Sequence, residues 1–218
     1  MLKLIKKEFV LCLHPTSVIF LFFSALVFVP NYPYEVIFFF SGLSVYFVCM
    51  ASRENKDLSF TCALPVKKES VPLARILMTV ILQCVLLLLT IIMGTIKECI
   101  LPADMQYNAV GISANIALAG NGALILGCFN LVFFPLYYRS PEKIGVPFVA
   151  AATLLFLLIG ACVCLRWTVP LFSEVLNGGN TFHFGAKFTA LSVGVGIYAA
   201  FTAAACVLSA KAFRKIDL

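Results

Sequence analysis

Six uninterrupted apolar runs, separated by short polar punctuation, set the pattern of this chain. They cover Thr16 to Pro30, Tyr34 to Ala51, Ile76 to Ile96, Val110 to Leu136, Ile144 to Leu165 and Phe188 to Ala210. Crossing a bilayer's hydrocarbon takes about 20 apolar helical residues, so the runs predict six transmembrane helices. The third is the most apolar, with 13 Leu, Ile and Val residues and Gln83 as its one strongly polar residue. The first two are short and meet at Pro30, Asn31, Tyr32 and Pro33, which reads either as two full crossings or as a re-entrant pair. Ahead of them Leu2, Ile5, Phe9 and Leu13 recur at spacings of three and four, with Lys3 and Lys7 on another face. That pattern predicts an amphipathic interfacial helix over residues 1–14, ended by Pro15, or else an inward extension of the first crossing. The expected fold class is all-α: a polytopic membrane protein with one transmembrane domain over residues 1–218.

Composition narrows the class further. Hydrophobic side chains make up 62% of the 218 residues and charged ones 12%, with 21 Phe and a mean hydropathy of +1.03. A soluble domain averages about 25% charged residues, and disordered chains lack this apolar content, so both are excluded. The nine cysteines are odd in number and lie mostly inside apolar runs. They read as small buried hydrophobes and not as a disulfide framework. The net charge of +6 is distributed for orientation and not for nucleic acid. Lys and Arg number three in the N-terminus, five from Ser52 to Arg75, two at Arg139 and Lys143, and three at Lys211, Arg214 and Lys215. Only Lys97, Arg166 and Lys187 fall on the other side. The positive-inside rule then puts both termini in the cytoplasm.

The chemistry that is missing also informs. No G-x-x-x-x-G-K-[ST] phosphate loop occurs, and neither His14 nor His183 has a Cys, Asp or Glu at ligand spacing. The reading therefore assigns no catalytic residue, no metal and no cofactor to this chain, and expects ionisable residues to be absent from the span interiors. Intramembrane polarity is carried by Gln83, Thr90, Asn115, Asn121 and Asn130, near Gly111, Gly120, Gly122 and Gly127. These fit helix packing or a substrate site. Aromatic residues Phe38, Phe39, Phe40, Tyr46 and Phe47 on the second span either line an apolar pathway or face lipid.

The loop of residues 52–75 mixes signs: Arg53, Glu54, Asn55, Lys56 and Asp57, then Ala63, Leu64, Pro65, Val66, Lys67, Lys68, Glu69 and Ser70. Orientation alone calls for cations only, whereas both signs together suit docking to a protein. A short surface helix followed by an exposed elbow is expected there. With Leu4 to Glu8 ("LIKKE"), Ala63 to Ser70 ("ALPVKKES") and Phe134 to Lys143 ("FPLYYRSPEK"), the chain resembles the permease subunit of bacterial type 2 ATP-binding-cassette (ABC) exporters. It is similar to the phenol-soluble modulin exporter permeases in particular.

The resemblance implies several expectations. A separate ABC ATPase subunit would carry ATP and Mg, and a second permease copy, identical or related, would complete a dimer in the bacterial plasma membrane. Arg53, Glu54, Asn55, Lys56, Asp57 and Leu58 would form the coupling helix seated in the ATPase. The N-terminal segment would be the connecting helix. Facing second and fifth spans would form the pathway, with Phe39, Tyr46 and Phe47 as its apolar lining beside membrane lipid, and the substrate would be amphipathic and peptide-like. The alternative reading is a non-transporting immunity or sensor subunit that binds an ABC ATPase or a peptide.

Overall fold

A computed structural model describes residues 1–30, 32–102, 107–108 and 110–216; Asn31 of the first hairpin turn lies outside them. The named elements are all helices: α1 Leu2–Lys7, α2 Pro15–Phe22, α3 Val36–Glu54, α4 Asp57–Ala63, α5 Ser70–Ile100, α6 Ile116–Tyr137, α7 Gly145–Thr168 and α8 Phe184–Arg214. Five of them (α3, α5, α6, α7, α8) are long and apolar enough to cross a membrane, and the bent pair Leu2–Cys12 and Pro15–Phe28 makes up to six. α1 runs on through a wider π-type turn at Glu8–Cys12. The chain then bends by 86°, because His14 is extended and Pro15 opens a new helix, whose Thr16 N–H donates to His14 Nδ1 at 3.3 Å. α2 tightens into 3₁₀ geometry over Phe23–Phe28. The greater rise of that stretch stretches this short run to about 24 Å.

The helices overrun their apolar runs because polar side chains at the ends find partners. α5 starts at Ser70 and carries Arg75 and Lys97, both buried, and α8 starts at Phe184 and carries buried Lys187. The apolar runs stop short of these three residues, and the helices take them in near their ends. Arg75 is ion-paired, Lys97 bonds the Tyr34 hydroxyl, and Lys187 donates to the carbonyls of Gly178 (3.1 Å) and Gly179. α6 is shorter than its run. Gly111 takes φ +75° and Asn115 caps the helix, its Oδ1 accepting from Leu118 N–H at 3.1 Å, so residues 110–115 form a turn.

α6 is the central helix. Gly120, Gly127 and Gly194 bring it into backbone contact with α8: a Cβ on Gly194 would lie 2.1 Å from Gly120 O, and one on Gly127 would lie 2.9 Å from Tyr198 Cα. Gly122 receives the fully buried Phe38 ring of α3 in the same way. Deeper in, Gln83 and Asn130 exchange two amide hydrogen bonds (3.0 and 2.8 Å), Asn130 donates to Thr202 (3.1 Å), and Tyr198 donates to Gln83 (2.8 Å). This set locks α5, α6 and α8 together, which is a packing role for Gln83 and Asn130.

The two ends of the bundle differ in charge. Lys7 pairs with Asp57, Arg53 donates to Glu142 O (3.4 Å) and Lys68 to Ile216 O (3.1 Å). Those contacts gather α1, the 53–75 segment, the turn after α6 and the end of α8 at one basic end. At the opposite end, asparagines stitch the loops: Asn108 to Tyr32 O, Asn115 to Leu176 O and Asn180 to Glu98.

Because α6 and α8 touch through backbone, Gly194→Ala is expected to cost about 1–3 kcal/mol by overpacking. Gly196→Ala on the same helix, with nothing within 4 Å, should leave stability unchanged. Thermal unfolding of the two purified variants in detergent checks the contrast.

Candidate functional site

The basic end is organised by a cluster the apolar pattern hides. Glu8 lies on the same side of the N-terminal segment as Leu4 and Cys12, and these three are its buried residues. Leu2 of the apolar stripe is 84% exposed, and the exposed Val10 and Leu11 join it on the outside, where lipid can cover them as it covers the apolar face of an interfacial helix. Glu8 turns inward because Arg75, one turn into α5, waits there. Its Nε donates to Glu8 Oε2 at 2.8 Å, Nη2 to Asp57 Oδ2 at 2.6 Å and Nη1 to Ser52 Oγ at 2.7 Å. Lys7 closes the ring, with Nζ 2.9 Å from Glu8 Oε1, 2.7 Å from Asp57 Oδ1 and 2.9 Å from Thr61 Oγ1.

Two cations thus balance two carboxylates in a site where Arg75 and Glu8 are each 1% exposed. Burial alone would raise the Asp57 carboxyl, but the Arg75 charge and the Lys7 bond hold it below the usual carboxylate range. Burial likewise works against the charged Lys7, and Asp57 and Glu8 outweigh it and raise its ammonium above the ordinary value. Glu8, Cys12 and Asp57 also bring three possible metal-ligating atoms within 4.8 Å of one another. The Arg75 guanidinium already sits among them, 3.5 Å from Cys12 Sγ.

Asp57 opens α4, which gives the cluster a surface. The expected helix over Arg53 to Leu58 is corrected in its boundary. Arg53 and Glu54 finish α3, Asn55 and Lys56 form a turn with Lys56 at φ +51°, and the short helix is Asp57–Ala63. Asp57 and Leu58 face inward, while Arg53, Glu54, Asn55 and Lys56 stay exposed. Beside them stand two exposed apolar residues, Phe60 at 59%, which the sequence reading passed over, and Leu64 at 39%, which it placed in the elbow. An exposed Phe on a helix anchored from below by an ion pair is a ready contact for a partner.

The three aromatic residues of the second span do not act together. Phe39 packs on Phe156 of α7 with ring centroids 4.8 Å apart, and Tyr46 packs on Phe148 of α7 at 4.5 Å. Phe47 instead meets His14 at 5.8 Å and Phe20 at 6.4 Å, on the α2 side. Near the far end of α3, buried Glu35 keeps Oε2 without a hydrogen-bond partner and lines a cavity of about 30 Å³ with Asn121, Cys162 and Arg166.

The apolar multi-helix bundle agrees with what comparison with known proteins finds. A family model described as ABC-2 family transporter protein matches residues 3–214. The chain belongs to that family. No curated protein and no solved structure matches it. As an ABC-2 permease it is the transmembrane subunit of an ABC transporter and works with an ATP-binding-cassette ATPase. The cluster around Arg75 fixes the N-terminal helix and the short surface helix of this permease to α5.

Removing one member of a buried ion cluster leaves an uncompensated charge and costs about 3–5 kcal/mol. Arg75→Gln should lose that much stability, and adding Lys7→Gln, Glu8→Gln and Asp57→Asn to it, which leaves no charge in the cluster, should recover most of the loss, as thermal unfolding would show. The cluster's pH window has two edges. The depressed Asp57 contributes fully above 3.8 and fails as pH falls through its lowered value, whereas the raised Lys7 contributes fully below 10.5 and fails as pH climbs through its raised value. The melting temperature of wild type relative to the quadruple variant should therefore stay constant between those limits and fall outside them.

Proposed function

We propose that this permease exports an amphipathic substrate, a peptide in the simplest case, from a bacterial cytoplasm as half of a permease dimer driven by two ATPase subunits. The observation that carries the reading is α4: a short helix presenting Phe60, Leu64 and the 53–56 turn outward, while its first residue is held by Arg75 of a 31-residue span. In this reading α4 and the preceding turn are the coupling element, with Glu54 and Lys56 setting register against the ATPase and Phe60 its apolar anchor. In this reading the basic end faces the cytoplasm, which the distribution of Lys and Arg supports.

Mechanically, closure of the ATPase pair on ATP moves α4. A rigid ion cluster passes that motion to α1 and α5 together, and the bundle switches between two packings. A substrate is moved because its affinity differs between them. The α3–α7 seam is the proposed pathway wall. Phe39 and Tyr46 face Phe156 and Phe148 there, and Phe156 is 57% exposed, so the seam opens to the outside of the single bundle where a second copy completes it. Phe47 belongs to the α2 contact and drops out of the lining. An apolar wall of this kind suits a substrate that keeps one greasy face and disfavours a fully charged solute.

Truncating an interface anchor costs about 2 kcal/mol, or ~30-fold in affinity. Phe60→Ala should therefore weaken capture of the ATPase subunit by roughly 30-fold with unfolding temperature unchanged, and Glu54→Lys should uncouple ATP hydrolysis from transport in reconstituted vesicles. Undiminished ATPase capture by Phe60→Ala and normal transport by Glu54→Lys would show that α4 is a solvated face and not the coupling element.

A further inference from the structure

Sequence counts all the cations at the basic end alike, but the structure separates those already engaged. Lys7 and Arg75 are held by Glu8 and Asp57, Arg214 by Glu69 at 3.2 Å, and Lys68 by the Ile216 carbonyl. Arg139, directly after α6, and Lys211 and Lys215, one turn apart on α8, converge instead on one groove of about 360 Å³ between the ends of those helices. Among the described residues no carboxylate lines it; its floor is Pro135, Leu208 and Ala212. Leu208 is 47% exposed and the neighbouring Val207 54%, so the floor is continuous with the outer face of α8.

We propose that this groove binds the headgroup of an anionic phospholipid, the three cations taking its phosphate and the apolar floor taking the first methylenes of its acyl chains. The proposal rests on reading the basic end as the cytoplasmic one, where anionic lipid attracts Lys and Arg beside the spans. Charge complementarity selects the occupant. Arg139 offers a planar fork matched to phosphate oxygens, and the two lysines supply mobile point charges. The apolar floor then favours a phosphate that carries chains over a free one. Cations placed only for orientation need no common apolar groove. The consequence for the transporter is a lipid wedged between α6 and α8 at the end opposite their glycine contact, steadying the two helices that the amide network joins.

The test is native mass spectrometry of the full-length protein in neutral detergent, titrated with phosphatidylglycerol or phosphatidylcholine. Wild type should retain phosphatidylglycerol at least tenfold more tightly than phosphatidylcholine. The variant Arg139→Gln/Lys211→Gln/Lys215→Gln should lose about 100-fold in phosphatidylglycerol affinity. A control that removes the same charge elsewhere at this end, Lys3→Gln/Lys6→Gln/Lys143→Gln, should change it less than about threefold. Leu208→Trp, which fills the groove without altering charge, should also weaken retention. Equal losses in the two triple variants would overturn the proposal in favour of unspecific charge. So would displacement of the lipid by millimolar inorganic phosphate, or a groove variant that keeps its lipid but no longer captures the ATPase. Failure of the wild-type chain to capture any ATPase would count against the transporter reading alone, because lipid retention is measured without that subunit.

Discussion

A buried guanidinium between two carboxylates cannot shed one partner cheaply, and the basic end of this permease is arranged around that constraint. Arg75 holds Glu8 of the N-terminal segment and Asp57 of α4 at 2.8 and 2.6 Å, so three stretches far apart in sequence meet through one side chain. Replacing such a cluster with apolar residues is often neutral or stabilising, so stability alone does not call for it. Its use is geometric: the polar set admits one arrangement of α1, α4 and α5, while apolar side chains can slide.

The rest of the bundle complements that fixed point. Backbone contact through Gly120, Gly127 and Gly194 and the Gln83–Asn130 exchange make α5, α6 and α8 one tightly packed unit. The Phe129, Phe133 and Tyr137 rings stack along α6 with spacings of 5.0 and 5.8 Å, continuing that unit toward the basic end. α3 and α7 meet across softer aromatic contacts. A stiff unit joined by ion pairs to the proposed coupling element, beside a seam of packed rings, is what a lever-driven switch between two packings needs.

Much of this was legible in the chain and some was not. Apolar runs gave the helices away because lipid demands them, whatever their neighbours. Their ends were hidden, since Arg75, Lys97 and Lys187 become helical only by reaching partners elsewhere in the fold. The side of the N-terminal helix that turns inward was hidden for a related reason. Apolar residues there face lipid, so periodicity could not say that Leu4, Glu8 and Cys12 turn inward. Glu8's partner lies 67 residues away, and no local signal marks it. The split at Lys56 was equally hidden, because a left-handed residue is foreseen at Gly or Asn and seldom at Lys. The mixed charge of the 53–57 stretch was informative, but only the fold divides it into exposed Glu54 and buried Asp57. The three aromatics of α3 were grouped by what the resemblance implies, and the fold turns the Phe47 ring toward α2.

The account stands or falls on whether α1 and α4 move as one body. Spin labels at exposed Lys6 and Ser59, in a background without the native cysteines, allow pulsed electron–electron resonance on the assembled transporter. One narrow distance, the same in the nucleotide-free and ATP-trapped states, is the predicted result, with broadening when Arg75→Gln is introduced. A distance that changes between the two states in the wild-type permease would contradict the ion cluster's role as a rigid link.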